Sequence, residues 1–161
     1  KIRFSGGVNL ANYSRLMWLS HFKVNHTRID VDISWHKSED IGVLDSYRQY
    51  MKRVSSSRIG LNFTTRTNGM QIVPGRTYEI ISNRVALVQE YSEDMHSLFE
   101  PGKHYLEFSN IDEFDELSRQ YFDDEDFLRE ICTNGYEKFE QDFSDHAILS
   151  HVYDRIKTKF K

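Results

Sequence analysis

Arg76 and Glu79 stand three residues apart in Pro74-Gly75-Arg76-Thr77-Tyr78-Glu79-Ile80-Ile81, a stretch that reads as the opening of a helix. Proline suits a helix start because its φ is fixed and it has no N–H to lose. A spacing of three puts both charged side chains on neighbouring positions of one face, beside first-turn N–H groups that have no partner within the helix. An arginine there suits a phosphate or diphosphate, because guanidinium forks and aligned amides both favour anionic oxygens. A glutamate one turn further suits a vicinal diol, since one carboxylate accepts two hydroxyl hydrogen bonds. Together the pair reads as a nucleotide contact. The plainer alternative is an exposed ion pair worth only about 0.3–0.5 kcal/mol.

The elements around this helix must hold the pair in place. Ile2-Arg3-Phe4 is a short strand running into the Ser5-Gly6-Gly7 turn, after which Leu10, Tyr13, Leu16, Met17 and Phe22 fall near helical spacing. Arg28 to Ile33 alternates apolar and acidic residues, as a strand with one dry face does. Tyr47, Tyr50, Met51 and Val54 form another helical stripe, and Arg58 to Phe63 reads as a third strand. The Pro74 helix is expected to reach about Asn83, and Val85-Ala86-Leu87-Val88 is an apolar strand of the kind covered on both faces in a parallel sheet. A short helix near Asp94 to Phe99 and a strand over His104 to Phe108 follow. Three helices close the chain: one capped by Asn110 and carrying Ile111, Phe114, Leu117 and Tyr121, one over about Asp124 to Phe139, and one over about Ser144 to Ile156. The pattern predicts an α/β fold in a single domain over residues 1–161. Its core is a Rossmann-like parallel sheet of about five strands flanked by helices, with a helical C-terminal end. Ligands of such sheets bind outside the carboxyl ends of the strands. That rule selects the loops Ser5 to Asn9, Ser34 to Asp40, Thr64 to Gly75 and Gln89 to Glu93.

Composition bounds the function classes. With 21 Lys+Arg against 25 Asp+Glu the net charge is −4, which argues against a nucleic-acid binder. Apolar residues make up 39 % of the chain, enough to offset chain entropy. The longest apolar run, Val85 to Val88, is far short of the roughly 18 residues of a membrane span. A lone Cys132 excludes an internal disulfide framework, reads as a small buried hydrophobe, and suits a reducing, cytoplasmic compartment. Asp30-Val31-Asp32 imitates a metal-chelating Asp-X-Asp motif, but both aspartates fall on the polar phase of an alternating strand. The seven histidines show no ligand spacing, so no metal is expected. The acidic run Asp123 to Asp126 reads as a solvated helix start, and the basic end Arg155, Lys157, Lys159, Lys161 as a helix C-terminus. A peripheral membrane-surface contact is the alternative for that basic end. The chain opens at Lys1 without a methionine and at once with strand-like residues, as if cut from something longer.

Arg76 to Ile81, the Val85 to Val88 strand, then Phe99-Glu100-Pro101-Gly102-Lys103 and Tyr105, resemble the C-terminal domain of GT-B glycosyltransferases. The similarity is closest to group 1 transferases of the spore-maturation-protein type. It continues through Asn110 to Leu117, Gly135 and Phe143-Ser144-Asp145-His146. The resemblance implies a glycosyltransferase domain that binds a nucleoside-diphosphate sugar of UDP or GDP type for transfer to a glycan or other acceptor. It also implies that this chain is the C-terminal half of such an enzyme, lacking the N-terminal acceptor domain. Carried across residue by residue, it puts Glu79 on the ribose hydroxyls, and Arg76 and the Gly6-Gly7 turn against the diphosphate. Arg15 reads either as a further diphosphate contact or as part of a solvated helix face, and the resemblance has Thr64, Thr65 and Arg66 lining the cleft. Many retaining members carry a second glutamate eight residues before the ribose-binding one, and here that position is Gln71. Its amide can still hydrogen-bond a sugar hydroxyl but brings no charge. A smaller departure is His104, where a glutamate often follows the Gly-Lys pair. No cofactor or metal is implied and no catalytic base is assigned. The rival expectation, suggested by Gln71, is a non-catalytic nucleotide-binding or protein-interaction module with a degenerate donor site.

Overall fold

A computed structural model of the chain describes residues 2–3, 17–18, 20–21, 24, 43–65 and 69–159. Among these residues four strands lie side by side in chain order, all parallel: β1 (Ile2–Arg3), β2 (Ile59–Asn62), β3 (Ala86–Glu90) and β4 (Leu106–Phe108). Besides the helical residues 17–18, 20–21 and 24, the helices among the described residues are α1 (Val43–Ser55), α2 (Gly75–Ser82), α3 (Glu93–His96), α4 (Ile111–Tyr121), α5 (Glu125–Asp142) and α6 (Asp145–Lys159). The strand expected over residues 28–33 lies outside the described residues.

Side chains alternate across the sheet and so feed two cores. Ile59, Leu61, Ala86, Val88, Leu106 and Phe108 pack with Phe114, Phe122, Leu128 and Ile131 on one face. Leu87 and Tyr105 pack with Ile80, Ile81, Met95 and Phe99 on the other. Both faces are therefore covered, the environment anticipated for the apolar Val85 to Val88 run. Helix α2 lies tight on the second face because Gly60 leaves room: a Cβ there would stand 2.8–2.9 Å from three atoms of Ile80. Helix α5 is seated the same way, since a Cβ on Gly135 would come within 2.6 Å of the His104 carbonyl oxygen.

The joints are set by local chemistry. Helix α2 ends in a Schellman turn, with Val85 N–H donating to the Ile80 carbonyl and Arg84 N–H to that of Ile81. Arg84 holds φ 55 where glycine is usual, and its guanidinium lies 4.1 Å from the Tyr136 ring centroid. Asn110 and Asp124 cap α4 and α5, their side chains accepting from Glu113 N–H and Phe127 N–H. Helix α6 buries none of its residues. Among the described residues, no helix is long and apolar enough to cross a membrane.

Candidate functional site

At the carboxyl ends of the strands the apolar sheet gives way to a polar row. Asn62 pairs in register with Gln89, and Gln89 with Glu107. By alternation all three lie on the face that α2 covers, one step beyond Gly60 and Leu87. Thr77, in the first turn of α2, completes a buried triad there. Asn62 Nδ2 donates to Thr77 Oγ1 at 3.0 Å and to Gln89 Oε1 at 2.8 Å, and Thr77 Oγ1 donates to the same Gln89 oxygen at 2.6 Å. Each of the three residues is at most 2 % exposed, so water does not compete for these bonds. The triad bolts the start of α2 to β2 and β3. Gln89 Nε2, also buried, has no hydrogen-bond partner among the described residues and remains a donor.

Above the triad, α2 carries Arg76 and Glu79, and α1 supplies the group between them. Tyr50 Oη donates to Glu79 Oε2 at 2.8 Å and accepts from Arg76 Nε at 3.3 Å. The Arg76 guanidinium also lies 5.7 Å from the Tyr50 ring centroid. Burial pushes the Tyr50 phenol up to about 12, with the neighbouring Arg76 charge opposing and Glu79 adding to the rise. The phenol therefore keeps its proton through the ordinary pH range. Pro74, the residue preceding α2, makes no side-chain capping bond.

Thr64, Thr65 and Gln71 form a second group. Glu90 Oε2 accepts from Thr64 N–H at 2.9 Å and from Thr65 N–H at 2.8 Å, so its carboxylate satisfies the backbone where β2 ends. Thr64 Oγ1 donates to the Tyr91 carbonyl at 2.9 Å, and Gln71 Nε2 donates to that carbonyl at 3.0 Å. An antiparallel bridge between Thr65 and Gln71 closes the loop between β2 and α2. Of the residues expected in a ligand site, then, Arg76 and Glu79 meet through Tyr50, while Thr64, Thr65 and Gln71 meet through Glu90 and Tyr91. Gly6, Gly7, Arg15 and Arg66 lie outside the described residues.

At the end of β4, Glu107 accepts from Tyr105 Oη at 2.7 Å and lies 2.8 Å from His96 Nε2. Burial and that carboxylate hold the Tyr105 phenol far above its usual range. Among the described residues, no three His, Cys, Asp or Glu side chains converge on one point as a metal site would require. Cys132 packs half-buried against the core, and burial pushes its thiol up to about 11, which suits a packing role.

The sequence gives Tyr50, Asn62 and Thr77 no individual part in the site, and marks Gln89 and Glu90 only as members of the Gln89 to Glu93 loop. Tyr50 falls within the apolar stripe of α1, which hides the use of its hydroxyl. Asn62 and Gln89 did leave a signal: each is a polar residue at the carboxyl end of an otherwise apolar strand.

A parallel α/β sheet with helices on both faces, and polar groups gathered at the carboxyl ends of its strands, is a Rossmann-like domain. The chain belongs to the glycosyl transferase-like family, whose pattern matches residues 15–152. The family moves a glycosyl group from a donor to an acceptor. Comparison with curated proteins found no match.

Proposed function

We propose that this domain binds the nucleoside-diphosphate-sugar donor of a glycosyl transfer, of UDP or GDP type, as the donor half of a GT-B enzyme of the spore-maturation-protein type. The observation that carries the proposal is the placing of Arg76 and Glu79 on the first turns of α2, joined through Tyr50 beside the strand ends. Glu79 takes the ribose hydroxyls. Arg76 and the amide end of α2 take the diphosphate, whose charge grows as the sugar departs, so their contribution to the reaction is electrostatic stabilisation of the leaving group. The acceptor and any general base belong to another domain in this account.

A thermal-shift panel of UDP, GDP, TDP and their sugars tests it. Ligand at 100 times its dissociation constant stabilises by about 2.7 kcal/mol. Silence across the panel overturns the proposal. Gln71 favours a second reading, a module that binds nucleotide without turnover, because its amide is used to close a loop on the Tyr91 carbonyl. Release of free sugar or transfer from a bound donor separates the two: turnover excludes the second reading.

A further inference from the structure

Resting on the donor reading above, we propose that Tyr50 is a positioning residue of the site: its hydroxyl fixes the Glu79 carboxylate for the vicinal 2′,3′-diol of a ribonucleotide, and so selects ribose over 2′-deoxyribose.

The direction of the hydrogen-bond chain is unambiguous. A guanidinium can only donate and an ionised carboxylate can only accept. The run is therefore Arg76 Nε–H to Tyr50 Oη at 3.3 Å, then Tyr50 Oη–H to Glu79 Oε2 at 2.8 Å. A carboxylate offers about four lone-pair positions. Tyr50 takes one on Oε2, which sets the plane of the group and leaves lone pairs on both oxygens for two adjacent hydroxyls. Without that bond a glutamate side chain samples several rotamers and must lose that freedom on gripping a ligand, whereas a pre-set carboxylate binds with less loss. Because burial raises the phenol to about 12, Tyr50 remains a donor at any pH at which binding is measured. Its ring also faces the Arg76 guanidinium and neighbours the Tyr47 ring at 6.2 Å, so the ring contacts can be kept while the hydroxyl is removed.

Tyr50→Phe is that change, and calorimetric titration of UDP, GDP and their 2′-deoxy forms reads it. The wild-type protein is expected to prefer the ribonucleotide. Tyr50→Phe is expected to weaken the ribonucleotide roughly tenfold, the size of a hydrogen bond to a charged group, and to leave the 2′-deoxy form within about twofold. A merely structural role for Tyr50 lowers both affinities together and keeps their ratio. Glu79→Ala, measured alongside, separates the positioning role of Tyr50 from the donor reading. If Glu79→Ala abolishes the preference for ribose and Tyr50→Phe leaves it intact, the positioning role is overturned and the donor reading stands. If neither nucleotide binds, or Glu79→Ala changes nothing, the donor reading falls and this inference with it.

Discussion

Thr77→Val removes one oxygen from the buried triad while keeping the shape of the side chain, and its cost follows from the geometry. The hydroxyl donates to Gln89 Oε1 at 2.6 Å and accepts from Asn62 Nδ2 at 3.0 Å. Two buried hydrogen bonds contribute about 1 kcal/mol each in net terms, and the Asn62 N–H left without Thr77 adds about 1 kcal/mol more. Burying a methyl in place of the hydroxyl returns about 0.8 kcal/mol. The balance is a destabilisation of about 2 kcal/mol, a large share of the roughly 5–15 kcal/mol that holds a domain together. In urea unfolding the loss should appear in the midpoint with the slope unchanged, since the variant exposes no new surface on unfolding. In a thermal scan it amounts to a fall of roughly 4–8 °C for a domain of this size. The triple variant Asn62→Leu, Thr77→Val, Gln89→Leu should be less unstable than the sum of its parts, because no polar group is then left unpaired. A Thr77→Val protein within about 0.5 kcal/mol of wild type would refute the claim that the triad anchors α2.

Three further outcomes are expected. Gly135→Ala should destabilise by about 1–3 kcal/mol although alanine is the better helix former by about 1 kcal/mol, because the new Cβ meets the His104 backbone oxygen at 2.6 Å; a urea midpoint at or above wild type contradicts this. At the α2–β3 joint, Arg84→Gly should be more stable than Arg84→Ala by about 1 kcal/mol, since both lose the contact with Tyr136 and only glycine is relieved at φ 55; equal midpoints argue against strain there. His104 Nδ1 accepts from Glu100 N–H at 2.9 Å, and burial, then the nearby Lys103, lowers its pKa from the usual 6.5. The unfolded chain then binds the extra proton first, so this residue leaves stability intact above pH about 6.5 and lowers it as the pH falls. Urea midpoints at pH 7.5 and 5.5 should therefore drop further for wild type than for His104→Gln, and equal drops count against it.

Much of the architecture was readable from periodicity alone. Pro74 before a helix, Asn110 as a cap, Asp124 at the start of a helix, and the unbroken Val85 to Val88 run each found the place expected of them, because each is a local preference that tertiary packing reinforces. Lengths differ at helix ends, which fray: α3 stops at His96, short of Phe99, and α6 runs on to Lys159. The site was less readable. Arg76 and Glu79 stood out by charge and spacing, but the hydroxyl joining them comes from Tyr50, on another element, 26 and 29 residues away in the chain. An amphipathic stripe records that a tyrosine faces inward and says nothing of what its hydroxyl meets. Thr64 and Thr65 stand out by their position at a strand end, yet their backbone N–H groups are occupied by Glu90. That pairing depends on the register of β2 against β3, which single-chain patterning does not encode.

The donor-binding claim is tested most directly by calorimetric titration of UDP and GDP into the wild-type chain and into Glu79→Ala. At least one of the two nucleotides is expected to bind the wild type, and Glu79→Ala to weaken it roughly tenfold or more through loss of the ribose contacts. No binding of either nucleotide to the wild type, or equal affinities for the two proteins, would contradict it.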